Sequence, residues 1–205
     1  MATVIDRHAA REEARKTAVM FDAQYSGSLQ GSLPFERDGA PASALSSLRK
    51  ALRPGDTMLS LGAGRALREE EFARSGVLVT AVDLSQEAIG QAGIRMMASR
   101  VKGLTLVHAD MREYRIEGQF DAVISISALQ YLDPEDMEAV VRKMMRHTKP
   151  GGTDLIVIVS DISSGNEFKD MMGHLYRPPK WDMHYYMHDA VCQFDRFEVA
   201  QARRN

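Results

Sequence analysis

The sequence predicts an α/β fold: a Rossmann-like, doubly wound, mainly parallel sheet of six or seven strands, helices on both faces and an N-terminal helical cap. Three observations carry this. An apolar run, Met58, Leu59 and Leu61, breaks at Gly62-Ala63-Gly64. After a helix-like stretch, a second apolar run from Val77 to Val82 ends on Asp83. Beyond it, β-branched apolar segments recur between helical ones without alternating polar and apolar residues. Strands of that kind are buried on both faces, as in a parallel sheet covered by helices.

Each element has its own signal. Val4, Ile5, Ala9, Ala14, Ala18, Val19 and Phe21 recur among charges and predict a helix over 3–24. Residues 25–42, rich in Gly, Ser and Pro, read as a mobile loop. The chain therefore divides into an N-terminal helix and lid loop, 1–42, and a single globular unit, 43–205. Ser43 to Leu52 reads as a helix that Arg53-Pro54-Gly55 turns into strand one. Ala66 to Arg74 predicts a helix ending at Ser75-Gly76, with Glu69-Glu70-Glu71 early, where the helix dipole favours negative charge. Ser85 is positioned to cap a helix over 86–100. Leu104 to Val107 is strand three and Phe120 to Ile126 strand four. Asp133 caps, and Pro134 begins, a helix over 134–147. Lys149-Pro150-Gly151-Gly152 turns the chain into strand five, Leu155 to Val159.

Strand, glycine turn, helix, strand, acid is the first half of a nucleotide-binding unit. Glycines lacking a Cβ let the backbone turn sharply and come close to a ligand. The helix N-terminus offers free N–H groups to a carboxylate or phosphate. An acid at the tip of the second strand can accept both hydroxyls of a ribose, and Asp83 lies nineteen residues after Gly64. A nicotinamide- or flavin-binding unit would put a third glycine at position 67, where Leu67 stands and would hinder a pyrophosphate.

The stretch resembles the cofactor motif of class I S-adenosylmethionine-dependent methyltransferases. The resemblance implies that Leu61, Gly62, Ala63 and Gly64 hold the methionine part of the cofactor, with Asp83 and Leu84 at its ribose. It further implies that Asp110 and Met111, in the turn after strand three, meet the adenine, and that Ser127 faces the methionine part or the transferring methyl. The chain departs from the family in two places: Ser60 stands where an acid is common, and Ala66 where a third glycine is common. Phe120-Asp121-Ala122-Val123-Ile124 and Lys149-Pro150-Gly151-Gly152 extend the resemblance over about residues 43 to 160. The stretch with Gln130-Tyr131-Leu132 looks most like the tellurite-resistance branch, although that branch's final His-Arg pair has no counterpart.

The implied activity is methyl transfer to a small-molecule acceptor: a thiol, a metalloid oxyanion, or a hydroxyl or amine of a metabolite. Strand four ends Ser125-Ile126-Ser127-Ala128, not in the Asn-Pro-Pro-Tyr that enzymes methylating planar nitrogens tend to carry. Gln130 and Tyr131 lie where the family often puts residues over the active site, and Tyr25 is placed to close over the cofactor. Tyr131 and Tyr25 are the catalytic candidates, and Arg65 a candidate partner for the cofactor carboxylate. The other reading is a non-catalytic binding or regulatory subunit that keeps the fold.

Composition narrows the partners. The 205 residues carry a net charge of -2, which advertises no phosphate-backbone partner. One cysteine, Cys192, excludes an intramolecular disulfide and fits a reducing, cytoplasmic setting. No apolar run approaches the ~20 residues needed to span a bilayer. His184 and His188 share one helix face if 181–194 is helical, but no Cys or acid at matching spacing completes a site, and no metal is expected. Asn166 to Leu175 also reads as helical, and Phe197 to Ala200 as strand six. No sequence then remains for the last strand, so either the chain is truncated or a homodimer or partner chain completes that sheet edge.

Overall fold

The structure, a computed structural model, describes residues 7–27, 42–158, 191–193 and 198–203. The apolar runs become strands and the periodic stretches helices. In chain order the first half comprises α1 (Arg7–Tyr25), α2 (Ala42–Ala51), β1 (Thr57–Leu61), α3 (Leu67–Arg74), β2 (Leu78–Asp83) and α4 (Gln86–Ser99). The second half comprises β3 (Leu104–His108), β4 (Phe120–Ile126), α5 (Pro134–His147), β5 (Thr148–Ile158), β6 (Val191–Gln193) and β7 (Glu198–Arg203). A short 3-10 turn, Leu129–Tyr131, follows β4.

The sheet order is β3-β2-β1-β4-β5-β7-β6. Its first five strands pair in parallel, and β7 runs antiparallel to both β5 and β6. Strand order reverses between β1 and β4, and a crevice opens beyond the carboxyl ends of the strands at such a switch point. Neighbouring residues of β1 feed opposite cores. Met58 packs with Leu45, Leu48, Phe72 and Ala92 from α2, α3 and α4. Leu59 and Leu61 pack with Met137, Val140 and Met144 from α5. A sheet covered on both sides in this way needs the unalternating strands seen in the sequence.

The caps form as the sequence implies. The Ser85 hydroxyl accepts the Ala88 N–H at 3.0 Å, and the Asp133 carboxylate accepts the Asp136 N–H at 2.8 Å.

Four expectations change. The Lys149–Gly152 turn lies inside β5, where the register against β4 jumps from Phe120↔Thr148 to Ala122↔Thr153. Gly152 sits where a Cβ would meet the Asp121 carbonyl at 2.8 Å, so the irregularity needs a glycine. Val191–Gln193 is a strand, where the sequence suggested a helix reaching Phe194. Phe197–Ala200, read as strand six, overlaps the seventh strand instead. Strand six is three residues long and gives no apolar run to recognise. With β7 paired along β5, the edge expected to call for a partner chain or second protomer is already occupied. The expected lid loop, the Asn166–Leu175 helix, and His174, His184 and His188 lie outside the described residues.

Candidate cofactor site

The glycine turn has no spare room. Gly62 (φ 76°) and Gly64 (φ 55°) occupy the left-handed region that favours glycine. A Cβ on Gly62 would lie 2.2 Å from the Ala128 Cβ, and one on Gly64 2.6 Å from the Tyr25 hydroxyl. The Gly62 and Ala63 N–H groups donate to the Val82 carbonyl at 2.8 and 3.0 Å, which ties the turn to the end of β2. Ala66, the expected third glycine, is also left-handed (φ 52°) and wholly buried. From α4, the Arg95 guanidinium donates to the Arg65 carbonyl and to Glu70.

Asp83 joins two turns. Its Oδ2 accepts the Gly64 N–H at 2.7 Å and its Oδ1 the Ser85 N–H at 2.8 Å. Burial pushes its carboxyl up from the usual range, and these two bonds pull back. A carboxylate held at both oxygens by backbone keeps lone pairs for a ligand hydroxyl without moving.

Helix α1 forms a wall over this end. Ala14, Thr17, Phe21 and Tyr25 line the cavity, a helical stripe of the kind sequence periodicity can disclose. Asp22 anchors the helix: its Oδ1 accepts the Ser85 hydroxyl at 2.5 Å and the Glu87 N–H at 3.0 Å. An acid at the N-terminus of α4 is favoured by the helix dipole. The Gln91 amide donates to the Tyr25 carbonyl at 2.8 Å. Phe21 meets the Tyr131 ring edge-on at 4.8 Å, and Arg65 lies 5.9 Å from the Tyr25 ring centre.

The opposite wall follows β3. Arg112 pairs with Asp110 at 2.7 Å and with Asp136 of α5 at 2.9 Å, and the two acids push its guanidinium further up. From the same helix, the Lys143 ammonium donates to the carbonyls of Met111, Arg112 and Tyr114 at 2.8–3.0 Å. Burial lowers this lysine. Ser127 closes the floor in a left-handed conformation (φ 54°), its N–H donating to the Val157 carbonyl at 2.7 Å. Together these walls enclose about 370 Å³, within the range of small-molecule sites.

Residues 58–152 match the family model described as a methyltransferase domain. That stretch is just under half of the chain, and over it the chain is similar to methyltransferases. A demethylmenaquinone methyltransferase of Corynebacterium efficiens is 37% identical to it over 105 residues, covering 51% of this chain and 42% of that protein. A ubiquinone biosynthesis O-methyltransferase of Xanthomonas campestris is 34% identical over 107 residues, covering 49% and 41%. The matches thus span well under half the length of these relatives. Among solved structures, the domain resembles magnesium protoporphyrin IX methyltransferase from Synechocystis with a TM-score of 0.71 at 15% identity, covering 94% of this chain and 100% of that one. It resembles TehB from Haemophilus influenzae with a TM-score of 0.67 at 16% identity, covering 83% and 66%. At such identities the likeness is one of fold.

Of the residues the sequence singled out, Gly62, Ala63, Gly64, Asp83, Leu84, Asp110, Met111, Ser127, Tyr25 and Tyr131 all line the cavity. Leu61 does not. Its side chain is wholly buried in the α5-facing core, and its carbonyl accepts the Ser125 hydroxyl at 2.9 Å. The alternation of β1 turns it away from the glycine turn. Arg65 lines the cavity as well, whereas Gln130 is wholly buried and not among the lining residues. Sequence reasoning missed Arg112, Phe21 and Thr17, which also line the cavity. Phe21 and Thr17 show in the periodicity of α1. Arg112 gives no local signal, since its second partner, Asp136, is twenty-four residues away. Among the described residues no group of three or more His, Cys, Asp or Glu could hold a metal ion, and no helix is long and apolar enough to cross a membrane.

Proposed function

We propose that this protein is an S-adenosylmethionine-dependent methyltransferase acting on a small-molecule acceptor. The observation that carries this is Asp83, its carboxylate fixed by the Gly64 and Ser85 N–H groups and lining the same cavity as the glycine turn. The residues fit the cofactor. Gly62 and Gly64, lacking a Cβ, let Ala128 and Tyr25 close against the turn that would cradle the methionine part. Asp83 and Leu84 hold the ribose; Asp110 and Met111 border the adenine, with Arg112 orienting Asp110.

When bound, the cofactor supplies an activated methyl on a sulfonium, and the transfer is an in-line displacement. The protein's part is to position the acceptor and exclude water. Phe21 and Tyr131, in edge contact, screen the cavity. Tyr131 and Tyr25 are the groups placed to orient the acceptor or pass on its proton, and Ser127, at the floor, would face the methionine part or the transferring methyl. The menaquinone and ubiquinone relatives support a metabolite acceptor, with thiols and metalloid oxyanions as the further classes. A division into a cap (1–42) and a methyltransferase unit (43–205), a cytoplasmic setting, and the absence of nucleic-acid or membrane partners belong to the same proposal.

Calorimetric titration with S-adenosylhomocysteine tests it. We expect micromolar binding by the wild type, lost in Asp83→Ala. A folded wild type that does not bind overturns the proposal in favour of a binding or regulatory subunit.

A further inference from the structure

Two adjacent glutamates on α3 are buried, and only one is neutralised. Glu70 receives Arg74 at 2.7 Å, Arg95 at 2.5 Å and the Ser99 hydroxyl at 3.2 Å. Glu69 is 3% exposed, and its Oε1 accepts the Ser60 hydroxyl at 2.7 Å. Its Oε2 is buried with no hydrogen-bond partner. An interior carboxylate oxygen left so is costly, and a functional reason for it is worth seeking.

The position supplies one. Ser60 stands two residues before Gly62, in the place noted as lacking an acid, and Glu69 brings a carboxyl to it from the neighbouring helix. Arg68, the residue before Glu69, lines the cavity. Burial pushes the Glu69 carboxyl up, opposed by the Ser60 hydrogen bond, by its own backbone N–H and by Arg68 on the same helix; Asp83, at the end of β2, pushes it up further. A buried acid next in the chain to a lining residue responds to charge brought into the cavity, because the low-dielectric interior screens little.

We propose that Glu69 senses the charge of the cofactor, releasing a proton when cationic S-adenosylmethionine binds and recovering one when the uncharged thioether product is left. The inference rests on the reading of the cavity as an S-adenosylmethionine site. The sulfonium is the only charge that distinguishes substrate from product form, since the amino and carboxyl groups of the methionine part are common to both. While the sulfonium is present, ionised Glu69 favours retention. Once the methyl has left, the anion beside Asp83 loses its counter-charge, takes a proton from solvent, and no longer discriminates in favour of the ligand. Glu69 is thus a positioning residue that sets the preference for S-adenosylmethionine over its product.

Calorimetry of the full chain with each ligand tests this, repeated in buffers of different ionisation enthalpy from about pH 5 to about pH 9. The slope against buffer enthalpy counts protons released. We expect S-adenosylmethionine to release more than S-adenosylhomocysteine. Their affinity ratio should then rise with pH by up to about tenfold per unit through that window. In Glu69→Gln, which keeps an acceptor oxygen for Ser60, the difference disappears while both ligands bind. Equal proton counts for the two ligands in wild type overturn the inference, even if the variant fails to fold. A difference that persists in Glu69→Gln assigns it to another group and overturns it too. Failure of a folded wild type to bind either ligand overturns the reading of the cavity itself, and this inference with it.

Discussion

The two walls of the cavity are held by different physics. The glycine-turn wall is fixed by exclusion: left-handed backbone at Gly62 and Gly64, and neighbours so close that a methyl group has nowhere to go. The wall after β3 is fixed by tethers from α5, with Asp136 and Lys143 reaching over to residues 110–114. A wall held by exclusion fails abruptly when one atom is added. A tethered wall loosens in steps as individual bonds are removed.

Gly62→Ala is the largest test of the contrast. A left-handed alanine costs roughly 1–2 kcal/mol. A Cβ at 2.2 Å from Ala128 forces backbone to move, for about 1–3 kcal/mol more. We expect a loss of about 3 kcal/mol in urea unfolding together with loss of S-adenosylhomocysteine binding. Stability within about 1 kcal/mol of wild type would show that the turn is not sterically fixed.

Lys143→Met tests the tethered wall. It keeps an apolar stem of similar length but removes the donor to three part-buried carbonyls. The cost is about 1–3 kcal/mol, with ligand affinity reduced rather than abolished because Arg112 still joins Asp110 to Asp136. Affinity reduced as far as in Gly62→Ala would erase the distinction between the walls.

This contrast also sets what the sequence discloses. Exclusion leaves local marks: Gly62, Gly64 and Asp83 stand out because turn chemistry needs those residue types at that spacing. The β1–β5 core was legible for the same reason, as unalternating apolar runs between turn signals. Tethers leave no such mark, since Lys143 and Asp136 look like any charges on an amphipathic helix until the fold brings residues 111–114 beneath them. The Leu61 side chain points into the α5-facing core, a direction that motif resemblance does not disclose. Strand β6 was missed because three residues in a hairpin carry no period.

The paired glutamates of α3 sharpen the comparison through pH. The hydrogen bond from Arg95 is the main cause holding Glu70 below its ordinary value of 4.5. The stability it adds is therefore present above that value and lost as pH falls through the folded-state pKa. Burial raises Glu69 above 4.5. From that pH upward the unfolded chain ionises while the folded one retains its proton, so ligand-free stability declines until Glu69 itself ionises. Thermal unfolding against pH should show Glu69→Gln removing loss on the alkaline side and Glu70→Gln removing loss on the acid side. The opposite pairing would refute both assignments.

Ala66 gives the smallest effect and the finest test of how the turn balances its terms. Its left-handed backbone favours Ala66→Gly by roughly 1–2 kcal/mol. Against that, glycine adds freedom to the unfolded chain, for about 0.4–1 kcal/mol. The lost methyl is wholly buried among α2, α3 and sheet residues, worth about 0.8 kcal/mol. The terms nearly cancel, and the expected change in unfolding free energy is within about 0.5 kcal/mol. A gain well above that would mean that strain dominates and that alanine is kept here for something other than stability. A comparable loss would mean that the buried methyl holds the turn against the core, and that the exclusion fixing Gly62 extends to the first residue of the α3 cap.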